Sequence, residues 1–96
     1  MAGSSDVGGR LGANVRRVRK RTGISQEALG VRSGLHRTEV GLLERGERVP
    51  RIDTLIKLAA GLEVEPAVLL AGIEWTEGET TVMPGSFRLG PEGEGE

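Results

Sequence analysis

A chain of 96 residues with 36% hydrophobic and only 2% aromatic content is the size of one small domain, and its core must be aliphatic. It has no cysteine, which excludes disulfides and thiolate metal sites, and no apolar run approaches the roughly 20 residues that a membrane span needs. The formal charge of −1 hides two unlike halves: residues 1–62 hold 12 Lys and Arg against 6 Asp and Glu, whereas residues 63–96 hold 1 against 8. A basic body suits a polyanionic partner.

The polar, glycine-rich residues 1–9 carry no apolar stretch of the signal-peptide type. They are expected to be disordered, in a cytoplasmic protein. Leu11, Val15 and Val18 then fall at i, i+4 and i+7, which predicts a helix over 10–21. Gly23 is its left-handed cap, and the basic last turn suits the negative helix end. Ser25 is a good N-cap for a second helix from Gln26 to about Arg32. Gly34 supplies a left-handed turn, Leu35 points inward, and His36 begins a third helix that runs to about Arg45 and ends at Gly46. Val40 and Leu43 face the core. Residues 25–46 therefore read as a helix-turn-helix, a device that lays its second helix in the DNA major groove.

A charged loop, residues 47–50, leads into a fourth helix over 51–62. Its apolar set of Ile52, Leu55, Ile56, Leu58, Ala59 and Leu62 predicts a wide buried face. Pro66 suits the first position of a fifth helix carrying Val68, Leu69 and Leu70 and closed by Gly72. Gly12, Gly30, Gly41 and Gly61 lie inside predicted helices, at about 1 kcal/mol each relative to alanine. Close approach of the two motif helices accounts for Gly30, and a DNA-facing position accounts for Gly41. Gly12 and Gly61 have no account at this level. Beyond Gly72 two readings stand. Ile73–Thr76 and Ser86–Leu89 pair as a short hairpin around Pro84-Gly85, or residues 73–89 are a flexible extension. Residues 90–96, GPEGEGE, are acidic and of low complexity; disorder is expected, with a charge that repels DNA.

The chain resembles a known family through an ordered set of elements. These are Leu11-Gly12, Val15-Arg16, Val18-Arg19, Ser25-Gln26-Glu27 with Leu29, Gly34-Leu35, Val40, Leu43-Glu44-Arg45-Gly46, Pro50, Thr54-Leu55, Leu58-Ala59 and Leu62. Together they are similar to the DNA-binding domain of the Cro and phage-repressor type, also called the xenobiotic-response-element type. The resemblance covers about 60 residues, inside a domain bounded at 10–72. It implies an all-α fold, a compact five-helix bundle, that acts as a homodimer on a near-palindromic operator in double-stranded DNA.

The resemblance also implies roles. Arg37, Thr38 and Leu42 would read bases: Arg37 can donate twice to guanine, Thr38 can offer a hydroxyl or a methyl, and Leu42 can touch a thymine methyl. Gln26, His36, Arg45, Arg48 and Arg51 would meet the DNA backbone, with Arg51 placed to enter a narrow minor groove. His36 is the only histidine, and its roles are helix N-cap or phosphate contact. Arg19 and Glu44 match a structural pair between the first and third helices, and Arg19 could also reach a phosphate. For each of these cations the plain alternative is a solvated helix face. Arg16, Arg17, Lys20 and Arg21 are expected to face solvent and to contribute only long-range steering.

The leading function is a sequence-specific DNA-binding transcriptional regulator, with antitoxin-like and restriction-modification controller roles both open. The alternative is a protein-interaction adaptor on the same fold, with Trp75, Val82, Met83 and Phe87 binding a partner in the C-terminal extension or packing back as a satellite core. One histidine, no phosphate-binding glycine loop and no metal-ligand cluster argue against an enzyme, and no cofactor or metal is expected.

Overall fold

Side-chain caps fix where the first three helices begin. The computed structural model describes residues 6–91. In it Asp6 accepts from the Gly9 amide at 2.8 Å, Ser25 Oγ from the Ala28 amide at 3.0 Å, and His36 Nδ1 from the Thr38 amide at 3.0 Å. Each satisfies a backbone donor that a helix start leaves free. The helices are α1 (Val7–Thr22), α2 (Gln26–Ser33), α3 (Arg37–Glu44), α4 (Ile52–Leu62) and α5 (Pro66–Leu69). Strands β1 (Ile73–Thr76) and β2 (Ser86–Leu89) complete the chain order as an antiparallel pair.

Several boundaries differ from the sequence expectation; among them, α5 ends at Leu69 with Leu70 as its C-cap, short of Gly72. Helix α1 starts at Val7, so residues 7–9 are helical rather than disordered. The Asp6 cap offsets the cost of Gly8 and Gly9, and Gly8 is buried beside the Gly46 carbonyl and the Val49 side chain. The part of that expectation which falls on residues 1–5 lies outside the described residues. His36 takes the N-cap role expected of it, so α3 itself opens one residue later at Arg37, and Arg45 is the C-cap.

Leu29, Leu58 and Leu69 fill the centre with Val15, Val18, Val40 and Leu43, all at 1% exposure or less. Burying one such side chain contributes roughly 1.5–3 kcal/mol. The glycines left unexplained by the sequence set the spacing of this core. A Cβ at Gly12 would run into the Leu43 and Glu44 carbonyls, so α1 and α3 meet backbone to backbone there. A Cβ at Gly61 would strike Ser33 Oγ, which brings α4 onto α2. The turn of the motif has its left-handed residue at Gly34 (φ 70°), and the Leu35 amide returns to the Gly30 carbonyl at 2.8 Å.

The wide apolar face predicted for α4 is only partly covered. Leu55, Leu58, Ala59 and Leu62 are buried, whereas Ile52 and Ile56 are 71% and 53% exposed. Neighbours pack on one side of α4 only, and the one-turn spacing of Ile52 and Ile56 puts both on the open side. Asn14 is fully buried and ties the bundle together. Its Nδ2 donates to the Leu69 and Ala71 carbonyls at 2.9 and 3.0 Å, and its Oδ1 accepts from Arg17 at 2.8 Å.

Of the two readings for residues 73–89, the hairpin is the one observed. Ile73 pairs with Leu89, Glu74 with Arg88, Trp75 with Phe87 and Thr76 with Ser86. Alternation puts Ile73 toward the core and sets Trp75 against Phe87 edge-on, with centroids 5.1 Å apart. The ladder runs on to Gly90, whose amide donates to Gly72 O at 2.6 Å and whose carbonyl accepts from Arg10 at 2.8 Å. Gly90 is therefore held, against the expectation of a disordered 90–96; residues 92–96 lie outside the described set. Among the described residues no helix is long and apolar enough to cross a membrane.

Asn14→Ala should lower unfolding free energy by about 1–3 kcal/mol, because one buried and one part-buried carbonyl lose their donor. Urea denaturation followed by circular dichroism measures it.

Candidate nucleic-acid interface

Helix α3 has two unlike sides. Val40, Leu43 and Glu44 are turned into the protein, whereas Arg37 and Thr38 are exposed and Leu42 is half-buried one turn beyond Thr38. The expected base-reading residues thus share one outward strip of a helix that is capped at its start.

What holds that strip in place is a buried ion pair. Arg19 Nε and Nη2 meet the two Glu44 carboxylate oxygens at 2.5 and 3.0 Å, a fork-on-fork geometry between α1 and α3. Arg19 Nη1 donates to the Ile24 carbonyl at 2.9 Å, and Gln26 Nε2 donates to Glu44 at 3.1 Å. The hydrogen bond to Glu44, set against a smaller desolvation cost, raises the Arg19 pKa above its ordinary value. The structural pair is therefore present, and it draws α2 in through Gln26.

Around this pair opens a concavity of about 390 Å³ lined by Arg16, Arg19, Lys20, Gln26, Glu44 and Arg45. The expected residues Arg19, Gln26 and Arg45 are brought together here. Arg16 and Lys20 join them; both are exposed, as their pattern predicts, but the wall they share with Gln26 and Arg45 was not expected. Their i, i+4 spacing, with Arg19 one residue before Lys20, is the signal that could have found them. Glu44 is answered by Arg19, so the wall keeps an excess of positive charge. Arg45 also reaches Glu47 at 3.0 Å on the surface.

The remaining expected residues lie apart from that concavity. His36 and Arg37 line a second groove at the α2–α3 junction with Glu27, Val31 and Leu35. Arg37 lies 3.8 Å from Glu27, both well exposed. Arg48 is exposed in the loop after α3. Arg51 is the N-cap residue of α4, and its guanidinium is 3.4 Å from Asp53. Exposed pairs of this kind contribute little to stability and release their cations readily. No group of three or more potential metal ligands occurs among the described residues.

Capped helices around a tight turn, with a second helix held by a buried ion pair and flanked by the basic concavity, define a helix-turn-helix DNA-binding protein. A family model described as helix-turn-helix (HTH_3) matches residues 15–69, and the chain belongs to that family, the Cro and C1 type. It is 47% identical over 60 residues to control protein C.SmaI of Serratia marcescens, covering 62% of this chain and 71% of the relative. It is 38% identical over 61 residues to control protein C.BamHI of Bacillus amyloliquefaciens, covering 62% and 75%. Among solved structures, the restriction-modification controller protein C.AhdI of Aeromonas hydrophila superposes with a TM-score of 0.63 at 41% identity, covering 64% of this chain and 92% of that one. The DNA-binding domain of the P22 c2 repressor gives 0.62 at 34% identity, covering 65% and 82%. The chain is a DNA-binding transcriptional regulator.

Glu44→Ala strands the Arg19 guanidinium in a site about nine-tenths buried and should cost about 3–5 kcal/mol. A thermal or urea melt of the full chain reads this directly; a loss below about 1 kcal/mol would mean that the pair does not hold α3.

Proposed function

We propose that this regulator binds a near-palindromic operator as a homodimer, with α3 of each copy in successive major grooves roughly 10 bp apart centre to centre. Arg37 and Thr38 read base edges, and Leu42 lies against a thymine methyl or a sugar. Gln26, His36, Arg45 and Arg48 hold phosphates, and Arg51 enters the minor groove at the flank. All donor-bearing nitrogens of Arg19 are already engaged within the protein, which supports a positioning role for it over a phosphate contact. The observation that carries this reading is the outward strip of α3, anchored from behind by the Arg19–Glu44 pair.

Ile52 and Ile56 support dimerisation. They offer a second copy an exposed apolar stripe on α4. The control proteins C.SmaI and C.BamHI and the restriction-modification controller C.AhdI favour a controller role of the same kind for this chain.

A second activity, uptake of a protein partner by the C-terminal extension, is favoured by the same hairpin that packs Ile73 against the core edge. Trp75 and Phe87 cover each other only in part, and Val82 and Met83 in the connecting loop are largely exposed. A regulator and an adaptor are separated by Arg37→Ala combined with Thr38→Ala. Operator preference should fall by at least tenfold in a binding competition against unrelated duplex, with the fold intact by circular dichroism. Retained preference would remove α3 as the reading helix.

Salt provides an independent check on the cationic concavity. Affinity for the operator should fall steeply with ionic strength, because bound phosphates release counterions. Replacing Arg16 and Lys20 together by alanine should reduce the log–log salt slope by about 1–2, and an unchanged slope would leave them as solvated charge.

A further inference from the structure

The N-cap of α3 is an unusual choice of side chain with a consequence for its outer edge. Common caps are Ser, Thr, Asp and Asn. Here the cap is His36, with an extended backbone (φ −77°, ψ 147°) and its Nδ1 accepting the Thr38 amide at 3.0 Å. An imidazole nitrogen accepts a hydrogen bond only when it carries no proton. The neutral ring must therefore hold its single proton on Nε2, the atom on the far side of the ring from the cap. The side chain is exposed at the leading end of α3. Glu27 from α2 and Arg37 from α3 line the same groove as His36 and lie 3.8 Å from each other.

We propose that His36 engages DNA as a neutral donor, with Nδ1 capping α3 while Nε2–H donates to a phosphate oxygen of the operator. The inference rests on the DNA-binding reading and adds the atom, the tautomer and the charge state of one contact. One ring thus joins the helix start to the nucleic-acid backbone, and the cap orients the donor. Because the contact is uncharged, it displaces no counterion and contributes nothing to the salt slope.

Two measurements on the full chain test it. Imidazole nitrogen chemical shifts in the free protein at pH 8 should report the Nε2–H tautomer; the Nδ1–H tautomer would overturn the proposal. Salt titrations then compare the wild type with His36→Ser at pH 8, on a palindromic duplex recovered by the wild type from a random pool. Serine keeps a cap but removes the outward donor. Affinity should drop by about 3–10-fold, the worth of a neutral hydrogen bond, with an unchanged salt slope and melting temperature. An unchanged affinity would reduce His36 to a cap, and a slope smaller by about 0.9 would make the contact ionic; either result overturns the proposal. A wild type that binds no duplex removes the DNA reading and this contact together, whereas the tautomer in the free protein is read separately.

Discussion

The buried pair between Arg19 and Glu44 is the constraint on which the rest of the molecule depends. Taking two charges out of water is costly, and the interior returns that cost only when geometry and extra hydrogen bonds are good. Here both carboxylate oxygens are used by one guanidinium, the third guanidinium nitrogen finds the Ile24 carbonyl, and Gln26 adds a donor to the carboxylate. The network joins the C-terminal part of α1, the first residue of α2 and the last residue of α3. Those are the places where small rotations would swing Arg37 and Thr38 furthest from a common plane. The pair therefore matters for orientation as much as for stability.

Close backbone approach makes this network reachable. Gly12 lets α1 settle on the carbonyls of Leu43 and Glu44, so that Arg19, two turns later on α1, meets the Glu44 side chain without extending into solvent. With Glu44 neutralised from within, Arg16, Lys20 and Arg45 set the sign of the concavity around it. Stability and electrostatic character are thus coupled through one carboxylate. The same residue that fixes the reading helix also keeps the wall beside it from being more positive still.

The hairpin obeys other rules. The family match stops at residue 69, and both strands lie beyond it. A two-stranded sheet is marginal alone, and this one is held to the bundle by Ile73 at the core edge and by Arg10 on the Gly90 carbonyl. Its solvent-side ion pair, Arg88 with Glu74, is exposed and adds little to that anchorage. The extension is also where acidic charge gathers, so the molecule has a basic reading end and an acidic appendage.

Much of this was legible in the residues themselves. Ser25, Gly34 and the spacing of Val40 and Leu43 act within a few residues of their own position, so caps, turn and helix faces could be read in order, and with them the helix-turn-helix and its outward residues. The features that failed to show were decided by chain segments far apart. Residues 7–9 read as breakers because two glycines locally outweigh the Asp6 cap, and the Gly46 loop that covers Gly8 lies almost 40 residues away. Gly12 and Gly61 looked like costs until neighbouring helices were placed against them. Ile52 and Ile56 looked like core because periodicity gives the width of an apolar face and not how much of it a neighbour covers. Asn14 gave no sign of spanning α1 and the end of α5, and Arg16 and Lys20 gave little of sharing a wall with Gln26 and Arg45. Sequence alone determined the local hydrogen bonding and the periodicity, and hence the kind of ligand. Tertiary structure alone decided which charges converge and which apolar side chains stay open, because those depend on distances between segments that no local pattern encodes.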